Sequence, residues 1–172
     1  MRYGSTGLWP CAGARENCIM IQRAYVVLET SVAPRRLAGV RARVPVGRAS
    51  EYFRAALDQV YAAARTGAIA LDGQNVFVYR PHPDGDLTVE FCVGSLQAFD
   101  AIGAVEPIEM PTGSAATTIH WGDYGALNAA HRAVLAWCRE NGRRLTGLSW
   151  EVYGHWTDDP ARVRTDVYHA IE

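Results

Sequence analysis

Most of the features that assign a function quickly are missing from this 172-residue sequence. No apolar run approaches the roughly 20 residues that span a bilayer, and the N-terminal "MRYGSTGLWPCAGARENCIM" lacks the continuous apolar stretch of a signal peptide. Charge of either sign is not in excess: 17 Lys plus Arg face 18 Asp plus Glu, a net −1. No overall basic field therefore recruits nucleic acid or an acidic membrane. The four cysteines, Cys11, Cys18, Cys92 and Cys138, form no CxxC pair of a zinc ribbon or redox site. H-E-x-x-H is absent, the five histidines have no metal-ligand spacing, "GLSWE" is not a G-x-S-x-G elbow, and "PTGSAATT" is too loose for a phosphate loop. Nothing points to a nucleotide or metal cofactor. The partner class left standing is a small molecule.

Cys92 lies in a strand-like run and Cys138 on a helix face, where a free Cys usually serves as a small buried apolar group. A reducing cytoplasm fits that usage, while a Cys11–Cys18 disulfide stays open. Residues 1–20 show neither helical nor strand periodicity and read as a flexible extension, with Met20 a candidate natural start. The remainder, 21–172, is long enough for one domain with its own core, and its first strand candidate is "AYVVLET".

What is present is self-similarity. Gly73-Gln-Asn-Val-Phe-Val-Tyr79 and Gly147-Leu-Ser-Trp-Glu-Val-Tyr153 share the pattern G-x-x-x-[F/E]-V-Y at an offset of 74 residues. Each copy follows an amphipathic stretch, Phe53, Leu57, Val60, Tyr61 and Ala64 in one and Leu127, His131, Val134, Leu135 and Cys138 in the other. Ser50 or Asp123 offers a helix N-cap, and Gly67 and Gly142 sit where helices stop. "RRLAGVRAR" and "SAATTIHW" are strand candidates before the helices; "LTVEFCV" and "RTDVYHA" follow the G-x-x-x-[F/E]-V-Y strands. The unit strand–helix–strand–strand, used twice over about 24–96 and 104–172, predicts an α+β fold. It has a largely antiparallel sheet, two helices packed on it, a pseudo-twofold relation between halves and a central cleft.

Glu151 is the unusual residue of the second copy. Alternation puts Ser149, Glu151 and Tyr153 on one strand face and Leu148, Trp150 and Val152 on the other, apolar one. A carboxylate among aromatics loses hydration, which raises its pKa unless hydrogen bonds or a cation compensate. Tyr153 or Tyr79 can supply the first and a cationic ligand the second. The plain alternative is a half-exposed strand Glu paired with Arg164.

Together "HWGDYGALNAAHRAVLAWCRENG" and "GLSWEVYGHWTDDPARVRTDVY" resemble the GyrI-like family, the small-molecule-binding domain found alone or fused to AraC-type and MerR-type DNA-binding domains. The ordered matches are His120, Gly122, Tyr124, Val134, Trp137, Gly147, Glu151, Tyr153, Asp159, Pro160, Asp166 and Tyr168, within a similarity running from about residue 24 to the C-terminus. The resemblance implies a tandem of two units with Glu151 in the central cleft, facing lipophilic cations. No helix-turn-helix precedes the domain in this sequence, so a stand-alone member without direct DNA contact is expected.

The ligand-binding candidates are Glu151, Tyr153, Tyr79, Phe77, Trp156, Trp121, Tyr168 and, as a second acid, Glu90. Most aromatics at strand spacing are core, and that is the expectation for Trp137 and Trp150. Glu90 reads equally as an edge-strand surface residue; His120 and His155 are candidate proton carriers, set against the commoner reading of a lone His near a turn as a hydrogen-bonded structural residue. The leading functional reading is a module that binds an aromatic, including cationic, drug or metabolite. The second, implied by the resemblance, is a hydrolase opening strained cyclopropane rings of DNA-alkylating compounds, with Glu151 as general acid or base and Tyr153 orienting the substrate. The third is a protein inhibitor of a DNA topoisomerase.

Overall fold

In the structure, a computed structural model, residues 25–155 and 157–172 are described. The proposed extension, Cys11, Cys18 and Trp156 lie outside them. The elements are β1 (Leu28–Val32), β2 (Arg36–Val44), α1 (Phe53–Arg65), β3 (Leu71–Pro81), β4 (Leu87–Ser95), β5 (Glu106–Glu109), β6 (Gly113–Trp121), α2 (Leu127–Glu140), β7 (Leu145–Tyr153) and β8 (Arg164–Ile171). They form an α+β fold in which all eight strands join one antiparallel sheet, in the order β1-β6-β8-β7-β3-β4-β2-β5. Strand–helix–strand–strand therefore occurs twice in chain order, as β2–α1–β3–β4 and β6–α2–β7–β8. The two runs meet where β3 pairs with β7.

The shared glycine of G-x-x-x-[F/E]-V-Y has a local cause. Gly73 and Gly147 take φ of 81° and 88°, and the register shifts between Leu71 and Asn75 and between Leu145 and Ser149. Each glycine is thus the left-handed residue of a strand irregularity that a side chain would strain. Downstream of it the strands run regularly, so that Phe77 and Glu151 become direct partners.

Helix α1 buries Ala56, Leu57, Val60 and Ala63, and α2 buries Leu127, Ala130, Val134 and Cys138. Two expected stripe residues, Tyr61 and Leu135, fall at the edges of these faces and are exposed. Ser50 does not cap α1: a 3-10 turn over Ala49–Glu51 intervenes, and the residue at the cap, Tyr52, makes no side-chain cap bond. Asp123 does cap, accepting from the Gly125 N–H at 2.6 Å at the start of the turn that leads into α2. Gly67 and Gly142 follow the C-terminal caps Thr66 and Asn141 with φ of 82° and 63°.

Both helices lie on one sheet face. On the other, Leu37, Val76, Val78, Cys92, Trp150 and Val152 form one buried cluster with Ile108 of β5 and Met110 just beyond it. Strand β5, which carries Pro107 at the sheet edge, has too little pattern to be read from sequence. Among the described residues no helix is long and apolar enough to cross a membrane.

Candidate functional site

Helix α1 rests on β2 and β4, and α2 on β6 and β8. The two central strands, β3 and β7, consequently lie beneath the gap between the helices. Alternation points Phe77 and Tyr79 of β3, and Glu151 and Tyr153 of β7, into that gap; Val78, Trp150 and Val152 point away into the opposite core.

Glu151 is buried at 5% exposure, and both its oxygens are occupied. The Tyr79 and Tyr153 hydroxyls donate to Oε2 at 2.6 and 2.5 Å, and His131 Nε2 donates to Oε1 at 2.8 Å. Burial alone would push the carboxyl pKa up. The hydrogen bonds from His131, Tyr153 and Tyr79, together with charge attraction to the His131 imidazole, outweigh it and hold the pKa below its ordinary value, so the group is an anion. The same burial, with Glu151 beside them, pushes both phenols well above their ordinary range, which keeps them as donors.

Beyond His131 the chain of hydrogen bonds continues, with His131 Nδ1 and His169 Nε2 3.0 Å apart. Burial and the neighbouring His131 lower the His169 pKa to about 4, so this imidazole stays neutral near pH 7. Sequence reasoning placed His131 on the apolar stripe of its helix and left His169 unassigned. The available signal was a polar residue on the inward face of α2, in phase with Leu127 and Val134.

A cavity of about 350 Å³ opens at one end of this gap, lined by Phe53, Leu57, Tyr61, Phe77, Tyr124 and Tyr153 among others. Its wall is an aromatic chain, with ring centroids 6.2 Å apart for Phe53–Phe77, 4.8 Å for Phe77–Tyr153 and 5.6 Å for Tyr124–Tyr153. Glu151 and Tyr79 do not line it. Glu151 lies behind the wall, joined to it through the Tyr153 hydroxyl. His155 is an exposed lining residue of the same cavity.

Three other candidates lie elsewhere. Trp121, Tyr168 and Glu90 occupy strand positions of opposite parity, on the sheet face away from the helices. Tyr168 stacks on Trp150 at 5.1 Å, and with Trp121 it lines a separate cavity of about 470 Å³. Glu90 is neither in the cleft nor a surface edge residue: it is 2% exposed, and Arg41 Nε holds it at 2.9 Å. Arg164, the proposed partner of Glu151, instead donates to Asp166 at 2.7 and 3.0 Å. His120 is engaged by the Tyr25 hydroxyl at 2.7 Å and the Asp123 carbonyl at 3.0 Å. The back-face cavity, and another of about 510 Å³ lined by Met110, Val152, Asp166 and Tyr168 among others, are larger, but among the described residues neither is lined by a side chain bonded to a buried carboxylate, as Tyr153 is to Glu151. Among the described residues no three metal-ligating side chains converge.

The sequence model of the GyrI-like small molecule binding domain matches residues 29–172. Among solved structures, the C-terminal domain of EcmrR superposes with a TM-score of 0.71 at 22% identity, covering 86% of this chain and 98% of that one. EcmrR in its DNA complex has the same score at 21% identity over 87% of this chain, which spans 58% of that regulator's chain. SAV2435 bound to tetraphenylphosphonium gives 0.64 at 12% identity, covering 86% and 94%. A Listeria innocua protein described as a hydrolase gives 0.56 at 13% identity, covering 85% and 91%. No curated protein sequence matches. At these identities the structural likenesses establish the fold.

Proposed function

Because the chain belongs to the GyrI-like small molecule binding domain family, we propose that its ligand is an aromatic cation held in the cleft between α1 and α2, with Glu151 as the counter-charge. The observation that carries this reading is a buried carboxylate kept ionised by three donors directly behind an aromatic wall. A buried anion without a fixed cation partner favours a positive guest, because attraction is only weakly screened there. Tyr153, which both donates to Glu151 and lines the cavity, extends that preference to the surface of the wall. A phenol that donates to a carboxylate becomes more electron-rich, and its ring face attracts a cation more strongly.

SAV2435 bound to tetraphenylphosphonium supplies a chemically suited probe. Hydrolysis is less well supported. A carboxylate whose oxygens are both taken, and whose pKa is depressed, has no proton to give and little basicity for activating water.

In equilibrium dialysis, Glu151→Gln is expected to weaken tetraphenylphosphonium binding roughly 10- to 100-fold, the equivalent of about 1.4–2.8 kcal/mol. A neutral analogue, triphenylphosphine oxide, should change less than about twofold. Equal losses for both compounds would show that Glu151 acts on cleft shape rather than charge.

A further inference from the structure

The sequence has no lysine, so every fixed cation is an arginine, and among the described residues none of these contacts Glu151. The group beside the carboxylate that can become a cation is His131. On this inward side of the fold the ionisable groups include Glu151 and Tyr153 from β7, Tyr79 from β3, His169 from β8, His120 from β6, Tyr25 ahead of β1, Tyr124 ahead of α2 and the buried Cys138 of α2. On α2 itself Arg132 is next along the helix. Tyr79 and Tyr153 stay neutral, and His120 is engaged by Tyr25 and Asp123.

The two protonation states of His131 keep the same hydrogen bonds. As a neutral imidazole it donates Nε2–H to Glu151 Oε1 and accepts at Nδ1 from His169 Nε2–H. As a cation it still donates Nε2–H to Glu151 and donates Nδ1–H to neutral His169, whose tautomer changes. Geometry is preserved while charge is not. With His131 neutral the cluster carries the full −1 of Glu151; with His131 protonated the cluster is an ion pair of net zero charge.

We propose that His131 is the specificity-determining residue of this site: neutral, it leaves Glu151 free to select a cationic guest, and protonated, it cancels that selection. The inference rests on the proposed role of Glu151. It makes cation binding dependent on pH for a guest whose own charge never changes, with release favoured in acid.

The test uses tetraphenylphosphonium, a permanent cation, and triphenylphosphine oxide with the full chain at about pH 5.5 and about pH 8, the span over which imidazoles titrate. Wild type should bind the phosphonium about tenfold or more tightly at the higher pH and the neutral compound equally at both. His131→Gln, which keeps a donor toward Glu151 but cannot be charged, should bind the cation tightly at both. Glu151→Gln should bind it weakly at both. A His131→Gln variant that retains the wild-type pH slope, or a wild type with no slope, overturns the role of His131. Nitrogen NMR of the ligand-free imidazole reads its protonation separately. If His131 titrates across this span while Glu151→Gln leaves cation affinity unchanged, it is the Glu151 reading that fails.

Discussion

The Trp150→Ala protein is expected to lose about 3–5 kcal/mol of unfolding free energy, as a large buried aromatic truncated to a methyl usually does. Trp150 is 1% exposed, at the centre of β7, and packs among Leu37, Val76, Val78, Cys92 and Ile108. Its ring lies parallel to Tyr168 at 5.1 Å with a 2° tilt, so truncation removes both area and a stacked neighbour. Urea denaturation followed by circular dichroism measures the change. Trp150→Phe separates packing from polarity. The indole Nε1 has no hydrogen-bond partner among the described residues, so Phe sacrifices no bond and should cost less than half as much. A loss below about 1 kcal/mol for the alanine variant would mean that the back-face core does not hold β7 in place. The proposed function is tied to this core because β7 carries Glu151 and Tyr153 on its other face.

Stability should also fall in acid, in two windows. His169 has a folded-state pKa of about 4 against an ordinary 6.5, so the folded chain favours the neutral ring. As pH falls from about 6.5, the unfolded chain takes up this proton first, and stability declines until about pH 4, where both states are protonated. A difference of that size corresponds to roughly 3 kcal/mol. Glu151 is lowered in the folded state from 4.5, so its contribution is present above 4.5 and is lost as pH falls through its lower folded value. The first window therefore belongs to the histidine and the second to the acid. Urea midpoints measured at pH 7, 5.5 and 4.5 should fall progressively, and His169→Gln should flatten the upper window. A variant with the wild-type slope there would assign the acid sensitivity to another group.

The fold was legible because alternation and helical spacing are local signals that the long-range structure did not override. The repeated G-x-x-x-[F/E]-V-Y located β3 and β7, and the amphipathic stretches located α1 and α2, to within a few residues. Strand β5 was not legible: four residues at the sheet edge are too few to show a period. The arrangement of the candidate site was legible in part. Strand parity correctly separated Glu151 from Trp150. Parity alone, however, could not say which face of β4, β6 or β8 aligns with which face of β7, since that depends on interstrand register. Glu90, Trp121 and Tyr168 were grouped with Glu151 for their chemistry, and register sends them to the opposite face. His131 and His169 were missed because their meeting joins residues 38 apart across a helix–sheet contact.

That Glu151 backs a ligand cleft is tested most directly by titrating tetraphenylphosphonium into labelled protein and mapping amide and aromatic NMR shifts. The expected result is a saturable change concentrated at Phe53, Phe77, Tyr124 and Tyr153, extending to the His131 ring and greatly reduced in Glu151→Gln. Shifts confined to Ile119, Trp121 and Tyr168 on the opposite face, with the cleft unmoved, would contradict it.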